Sequence, residues 1–179
     1  MTPLLETQRL RLRHLVPGDA AFVLELLNDP GWLRFIGDRN VRSLEDAEGY
    51  IRDGPAAMFA RHGFGLLCVE RKADGARLGI CGLLKRDALP DPDLGFAFLA
   101  RHTGQGYGRE AGAAVLDWAR ASLGLERIAA ITQPANAASI RVLTGLGLGR
   151  EGTVRLPGED RDVELYVWQA GRPQEKEVP

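Results

Sequence analysis

The stretch Thr103-Gly104-Gln105-Gly106-Tyr107-Gly108-Arg109-Glu110-Ala111 lies between a predicted strand and a predicted helix, and it decides how the chain is interpreted. Three alternate glycines allow a tight turn whose backbone N–H groups point the same way, because no Cβ atom blocks the turn or an approaching ligand. The helix that follows adds unpaired N–H groups and the positive end of its dipole. These features predict a cradle for a phosphate or pyrophosphate, although a glycine-rich turn without a ligand has the same pattern.

Dinucleotide binding is an alternative for this loop, because Gly106, Gly108 and Ala111 satisfy the pattern G-x-G-x-x-A. The loop, however, follows a strand meander past the middle of the chain instead of opening a β-α-β unit. The acidic residue expected at the end of the next strand is missing, and Glu126 precedes that strand instead. No Gly-Lys-Ser/Thr follows the loop, which excludes a Walker-type site. The sequence therefore favours phosphate binding and argues against a dinucleotide.

Hydrophobic periodicity places the other elements around the loop. A helix from about Tyr107 to Leu123 is predicted to turn one apolar face to the sheet, formed by Val115, Leu116, Ala119 and Leu123. A second helix begins at Asn136 and ends within 145–149. Strands are predicted at 64–70, 77–84, 93–99, 128–132, 152–156 and 163–168. The layout is an α/β fold with a mixed, mostly antiparallel central sheet flanked by helices, and one β-α-β unit late in the chain.

The first third of the chain predicts one more strand and two helices. Leu10 and Leu12 alternate with Arg9, Arg11 and Arg13, which favours the solvated face of an edge strand over a basic patch for the arginines. Asp19 is predicted to cap a helix that ends at 28–30. That helix buries Phe22, Val23, Leu26 and Leu27. Ser43 and Asp46 form a capping pattern for a helix through about Ile51.

Composition narrows the class of protein. The 179 residues fit one domain, predicted at 1–168, with a loose tail at 169–179. A net charge of −1 gives no reason to expect nucleic acid or an anionic membrane as a partner, and no apolar run has membrane-spanning length. Met1 to Arg13 lacks the features of a signal peptide. Two cysteines, Cys68 and Cys81, and scattered histidines predict neither a disulfide scaffold nor a metal site, so a cytoplasmic protein is expected.

Two motifs together resemble the GCN5-related N-acetyltransferase (GNAT) superfamily, and the branch of ribosomal-protein N-terminal acetyltransferases in particular. The first is the loop Gly104-Gln105-Gly106-Tyr107-Gly108-Arg109-Glu110-Ala111, similar to the family's acetyl-CoA pyrophosphate loop. The second is Asn136-Ala137-Ala138-Ser139-Ile140-Arg141-Val142-Leu143, followed by Leu146-Gly147-Leu148. The resemblance covers nearly the whole chain, from Glu6 to Trp168.

The resemblance implies an N-acetyltransferase that moves an acetyl group from acetyl-CoA to a primary amine, either a protein N-terminus or a small molecule. It also implies a sheet splayed in the middle, with the pantetheine arm lying in the splay. Backbone groups of Phe98, Leu99 and Ala100 would pair with the pantetheine amides. The pyrophosphate would bind the backbone amides of Gly104, Gln105, Gly106, Tyr107, Gly108 and Arg109. A non-catalytic acyl-CoA sensor or scaffold is the alternative, and relatives are monomers or dimers.

Candidate catalytic residues follow from the chemistry of amide formation. Ser139 is the candidate acid for the departing thiolate, because it lies in the first turn of a helix whose dipole favours negative charge. Asn136 would bond a pantetheine amide, although it can simply cap that helix. Asp93 is the candidate base, with a turn aspartate after Pro92 as the alternative. A backbone N–H near Leu99 is the expected oxyanion donor.

Two departures from the family pattern bear on the site. Many members carry a tyrosine acid where this chain has Leu143, and Arg, Gln or Trp where it has Thr103. Arg101, Arg109 and Arg141 are candidates for CoA phosphates, with solvated surface charges as the alternative. The acceptor pocket is expected to be lined by four residues from the early helices and the segment after them: Trp32, Phe35, His62 and Phe64.

Overall fold

The computed structural model describes residues 4–171, and its eight strands form one sheet. The strands are β1 (Leu5–Glu6), β2 (Leu10–His14), β3 (Leu66–Arg71), β4 (Arg77–Leu84), β5 (Asp93–Phe98), β6 (Arg127–Thr132), β7 (Gly149–Arg155) and β8 (Asp162–Gln169). Their order in the sheet is β1-β2-β3-β4-β5-β6-β8-β7. Neighbours are antiparallel except β5 and β6, which are parallel. The predicted α/β fold, mostly antiparallel with one β-α-β unit, is confirmed.

Helices cover both faces of this sheet. They are α1 (Ala20–Leu27), α2 (Pro30–Phe35), α3 (Leu44–Ile51), α4 (Ala57–His62), α5 (Tyr107–Leu123) and α6 (Ala137–Gly145). On one face α1, α2 and α3 pack against the strands through Leu26, Trp32 and Ile51. On the other face α5 buries Val115, Leu116 and Ala119 against the strands, as the periodicity predicted. The bounds of α5 match the prediction, and Gly124, at φ +65°, ends the helix.

Two predicted helix starts have different outcomes. At α3, the Ser43 side chain accepts from the Asp46 amide (3.1 Å) and Asp46 accepts from the Ser43 amide (2.9 Å), so the capping box is confirmed. At α1, Asp19 stands at the cap position but its side chain caps no helical amide. Its carboxylate instead binds the guanidinium of Arg13, and the predicted cap is wrong because a buried ion pair takes the carboxylate.

The predicted exposed row of arginines is also wrong at one position. Arg11 is exposed, but Arg13 is 4% exposed and lies inside the fold. β2 is not an edge strand, since β1 pairs with its outer side, and the turn carrying Asp19 closes over Arg13. Strand alternation placed these side chains correctly on one side of β2, but it could not predict what covers that side.

Three elements lie outside the predicted set, namely β1, α2 and α4. Pro30 ends α1 as expected and also starts α2, because proline at the first helical position loses no helical hydrogen bond. Asp29 caps α2 by accepting from the Gly31 amide (2.9 Å), and its second oxygen accepts from the Ala100 amide (2.9 Å). This carboxylate therefore fixes α2 beside the end of β5.

The last strand is longer than predicted. β8 includes Gln169, and the amide of Ala170 donates to the carbonyl of Glu126 (2.8 Å), so the first residues of the expected tail are paired. Residues 172–179 of that tail lie outside the described residues. The predicted turn at Pro157-Gly158 joins β7 to β8, with Gly158 at φ +80°.

Candidate functional site

The glycine loop presents a row of open main-chain donors. Gly104 and Gly106 have φ of +74° and +80°, a region that L side chains rarely adopt. The first helical hydrogen bond of α5 is from the Glu110 amide to the Gly106 carbonyl (3.1 Å). Within residues 4–171, no protein group accepts from the six amides of 104–109. Six consecutive open donors at the positive end of a 17-residue helix are an arrangement that can bind an anion.

Arg9 contacts the glycine loop at three residues. Its guanidinium donates to the Gln105 carbonyl (3.0 Å), pairs with Glu110 (2.6 Å) and lies 4.6 Å from the centre of the Tyr107 ring. Glu110 also accepts from the hydroxyl of Thr7 (2.6 Å). Burial acts to raise the pKa of Glu110, but these partners and the Arg9 amide outweigh it and lower the pKa. The ionised carboxylate thus ties the loop to the first strands and fixes its shape before a ligand binds.

A groove runs from this loop into a gap in the sheet. β5 and β6 share one register pair, Asp93 with Ala129, and separate beyond it. The groove has a volume of about 470 Å³, and α2, the glycine loop and α6 form its walls. Its lining includes Trp32, Phe35, Phe96, Phe98, Asn136 and Ser139. The predicted splay in the sheet is therefore present.

The main-chain groups at the end of β5 correct the expected oxyanion donor. The Leu99 amide donates to the Leu78 carbonyl (3.0 Å), and the Ala100 amide donates to Asp29. Both are used within the protein, so the open amide expected near Leu99 is not that of Leu99 itself. Because hydrogen bonds alternate along an antiparallel pair, the amides of Phe96 and Phe98 point away from β4 toward the gap. Those two residues, and not Leu99 or Ala100, offer main-chain groups to a ligand.

The start of α6 brings the two predicted polar residues to the groove. Asn136 caps α6 by accepting from the Ser139 amide (3.1 Å), and its side chain lines the groove. The cap uses the Asn136 oxygen and leaves its NH₂ group available as a donor. Ser139 is half-buried and lies where the groove meets a smaller chamber of about 190 Å³. We call this second space the acceptor chamber; it is partly open to solvent and is lined by residues of α2, α3, β3, β4, β5, β6 and α6, together with residues of the loops.

Asp93 lies in the wall of the acceptor chamber. It is 1% exposed, at the first residue of β5 where the sheet begins to separate, so it is a strand residue and not a turn aspartate. Its oxygens accept from Nε of Arg86 at 3.2 and 3.0 Å. Burial raises the pKa of Asp93, and the positive charge of Arg86 opposes the shift without cancelling it. A carboxylate with a raised pKa is suited to accept a proton.

The expected aromatic lining divides into two pairs. Trp32 and Phe35 lie on the groove, and Trp32 also reaches the acceptor chamber. His62 and Phe64 stack on each other 5.6 Å apart at the end of α4 and line neither the groove nor the acceptor chamber. Phe64 is buried in the core beneath α5, so the prediction is wrong for this pair. α4 packs on the opposite face of the sheet from α2.

The glycine loop and the splayed sheet are the features that the resemblance to the GNAT superfamily implied. Comparison with known protein families agrees with this resemblance. Residues 9–149 match the model of the acetyltransferase (GNAT) domain. The chain belongs to this GNAT family. It is an acetyl-CoA-dependent N-acetyltransferase, and acetyl-CoA is the cosubstrate.

Individual relatives of this GNAT chain agree over nearly its full length. YoaA of Bacillus subtilis (strain 168), an uncharacterized N-acetyltransferase, is 28% identical over 182 residues, which cover 99% of this chain and 96% of YoaA. An acetyltransferase structure from Agrobacterium tumefaciens str. C58 has a TM-score of 0.79 at 25% identity, covering 94% and 95% of the two chains. RimL, a ribosomal L7/L12 alpha-N-protein acetyltransferase in complex with coenzyme A, has a TM-score of 0.75 at 17% identity and covers 91% and 95%. The last comparison shows a shared fold.

Two departures from the family pattern have structural counterparts. Leu143 is 1% exposed and packs in the core while touching the acceptor chamber, so no hydroxyl stands at that position. The hydroxyl of Thr103 donates to the Ala100 carbonyl (2.8 Å) and stabilises the turn before the glycines. Of the three candidate phosphate arginines, Arg101 pairs with Glu25, whereas Arg109 and Arg141 line the groove.

The structure also adds residues that the sequence motifs did not indicate. Arg39, Tyr50 and Arg86 line the acceptor chamber, and Phe96 supplies an open amide. None of them belongs to a recognisable motif, since they come from separate helices, loops and strands. In residues 4–171 no three His, Cys, Asp or Glu side chains cluster as metal ligands, and no helix has the length and apolarity needed to cross a membrane.

Proposed function

We propose that this GNAT enzyme acetylates a primary amine by direct attack on acetyl-CoA bound along the groove. The observation that carries this proposal is the row of six open amides at 104–109 beside the gap between β5 and β6. Gly104, Gln105, Gly106, Tyr107, Gly108 and Arg109 would hold the pyrophosphate through these amides. Arg109 and Arg141 would add charge at the same end.

The pantetheine arm fits the gap in the sheet. The outward main-chain groups of Phe96 and Phe98, together with the NH₂ group of Asn136, can bond its amides from opposite walls. Bound acetyl-CoA supplies an acetyl group activated as a thioester. The outward amide of Phe96 would stabilise the charge that develops on the thioester oxygen.

Proton transfers are assigned to two side chains of the acceptor chamber. Asp93 would remove a proton from the acceptor amine, since its buried carboxylate has a raised pKa and stands at the closed end of the gap. Ser139 would protonate the leaving thiolate, and the N-terminal dipole of α6 favours that charge. We also propose a cytoplasmic location, in agreement with the two buried free thiols of Cys68 and Cys81.

Gly106→Val tests the phosphate cradle. A β-branched residue at φ +80° forces the backbone to change, which displaces neighbouring amides. We expect acetyl-CoA to bind at least about 100-fold more weakly in isothermal calorimetry, because several charge-assisted hydrogen bonds are lost. Gly75→Val is the matched control, since Gly75 has φ +72° in the turn between β3 and β4. Equal affinity in both variants would mean that the loop is only a turn.

Release of free thiol from acetyl-CoA with a panel of amines tests the transfer itself. The buried Leu143 in place of a tyrosine makes a non-catalytic acyl-CoA sensor the alternative to consider. Binding of acetyl-CoA without amine-dependent thiol release would favour the sensor. Thiol release with an acetylated product of matching mass would favour the enzyme.

A further inference from the structure

The acceptor chamber contains two guanidinium groups with open hydrogen-bond donors. Arg86 uses only Nε for Asp93, so among residues 4–171 its two terminal nitrogens have no acceptor. Arg39 comes from the loop after α2, and its guanidinium has no hydrogen bond or ion pair in the same residues. An arginine fork is the side chain best suited to bind a carboxylate through two parallel hydrogen bonds.

Tyr50 of α3 completes this arrangement. Its side chain lines the same chamber, and its hydroxyl has no partner among the described residues. Burial raises the pKa of Tyr50, and the charges of Arg39 and Arg86 act in the opposite direction. Both arginines are therefore near enough to affect the pKa of the Tyr50 hydroxyl. Three hydrogen-bond donors from separate segments of the chain thus line one chamber.

The charge of the chamber favours an anion. Apart from Tyr50, its ionisable side chains are Arg39, Arg86 and Asp93. With both arginines and the aspartate ionised, their net charge is +1. Arg39 and Arg86 also line the adjoining outer cleft, which contains Asp87 and Glu159, but those two carboxylates do not line the chamber. A polycationic acceptor would place positive charge against both arginines, which is unfavourable.

The size of the chamber limits the distance between amine and anion. The amine must reach Asp93 and Ser139, and the anion must reach Arg39 and Tyr50, yet all four line a space of about 190 Å³. Resting on the N-acetyltransferase function proposed above, we propose that the acceptor is a small amino acid whose free carboxylate is bound by Arg39, Arg86 and Tyr50. A peptide N-terminus has a neutral amide at the place of that carboxylate and is therefore the poorer acceptor.

Pairs of acceptors that differ only in the carboxylate test this inference. A panel of amino acids and the corresponding amino-acid amides is assayed for thiol release with the wild-type enzyme, Arg39→Gln and Arg34→Gln. Arg34 is the control because it is on α2, lies against Phe35 and lines neither the acceptor chamber, the groove nor the outer cleft. We expect the wild type to prefer the acids in kcat/KM, and Arg39→Gln to reduce that preference about 10- to 100-fold. Arg34→Gln keeps it.

A binding measurement keeps this inference separate from the proposed transfer reaction. N-acetylamino acids carry the carboxylate without a reactive amine, so their affinity for the CoA-bound protein is measured by calorimetry. Weaker binding to Arg39→Gln than to Arg34→Gln supports the carboxylate site, even if no acceptor is turned over. Equal turnover of acids and amides, a preference that persists in Arg39→Gln, or absence of N-acetylamino acid binding overturns it. Failure to bind acetyl-CoA or to release thiol overturns the proposed function instead.

Discussion

Two groups of arginines and carboxylates differ in how many of their hydrogen-bonding atoms have partners within the protein. In the Arg13 cluster (Arg13, Asp19, Glu70 and Arg77) the Arg13 guanidinium donates twice to Asp19, at 2.7 and 2.9 Å, and also to Glu70 and the His14 carbonyl. In the acceptor chamber, Arg86 donates to Asp93 through Nε alone. Arg39 has no ion pair among residues 4–171. A charge network closed on itself stabilises the fold, whereas open donors beside a cleft can bind a ligand.

The pKa values of the two aspartates show the same difference. Burial acts to raise the pKa of Asp19, but Arg13, the Val16 amide and Arg77 outweigh it and lower the pKa. At Asp93 burial also raises the pKa, and one arginine does not reverse the shift. Two carboxylates that are equally buried therefore have opposite shifts, because the number of hydrogen bonds to the charged form differs.

Asp19→Ala breaks the closed network and should have the largest effect. It leaves the guanidinium of Arg13, 5% exposed, without its main partner. We expect the free energy of unfolding to fall by about 3–5 kcal/mol, measured by urea titration at neutral pH. Because the folded-state pKa of Asp19 is lowered, the stability it contributes is present above its unfolded pKa and is lost as pH falls.

The control for this variant is Asp162→Ala, whose partner is the exposed Arg155 at 2.7 Å. An exposed pair contributes little, so this variant should unfold close to the wild type. If the free energy of unfolding fell equally in both variants, burial of the Arg13 cluster would not be the reason for its contribution to stability.

Asp93→Asn changes the less completely hydrogen-bonded group, in the acceptor chamber. It should lower kcat more than it lowers the free energy of unfolding. Loss of the base should reduce kcat by about 100-fold, with acetyl-CoA affinity unchanged. Asp91→Asn is the control, because Asp91 pairs with Arg127 and lines neither the groove nor the acceptor chamber. Nearly unchanged kcat in Asp93→Asn would remove this residue from the mechanism and leave proton removal to water.

The same variant gives a stability test with a defined sign. The folded-state pKa of Asp93 is raised, so its contribution to stability is greatest below the unfolded pKa and declines as pH rises through the folded pKa. Other carboxylates, such as Asp19, act with the opposite sign, so the difference in free energy of unfolding between the wild type and Asp93→Asn is what should decline across that pH range.

Ser139→Ala should have the smallest effect of the three. A thiolate with a pKa near ~8.5 leaves without much assistance, so we expect kcat to fall about 10-fold, with no change in acetyl-CoA affinity. The backbone cap from Asn136 to residue 139 is kept in this variant. Thr144→Ala removes a hydroxyl from the same helix, one that bonds the Ile140 carbonyl (3.0 Å), and should leave turnover unchanged. Equal kcat in the two variants would exclude Ser139 as the acid.

The parts of the fold that local patterns specify were predicted well. α5 has the predicted bounds because apolar residues recur at helical spacing and a glycine stands at each end. The α3 capping box needs only residues three apart, and it is present. α2 was missed because Pro30 was interpreted only as the end of α1, although Asp29-Pro30 also meets the requirements of a helix start.

Local patterns did not predict which polar groups remain open. An open amide was expected near Leu99, but only the pairing of β5 with β4 decides which one: it uses the amide of Leu99 and turns those of Phe96 and Phe98 outward. The burial of Arg13 depends on a turn that returns over β2, and His62 and Phe64 lie on the other face because α4 packs there. The roles given to Ser139, Asn136 and Asp93 stay predictions that the experiments above test.

By itself the sequence determined the glycine turn before α5 and most of the helices and strands, since these depend on residues close together in the chain. Glycines at these positions can adopt the positive φ of Gly104 and Gly106, and the helix that follows leaves its first amides without partners. Only the tertiary structure decided that Arg39, Tyr50 and Arg86 share one chamber with Asp93. The reason is physical: packing of distant segments determines which donors are consumed within the protein and which are left for a substrate.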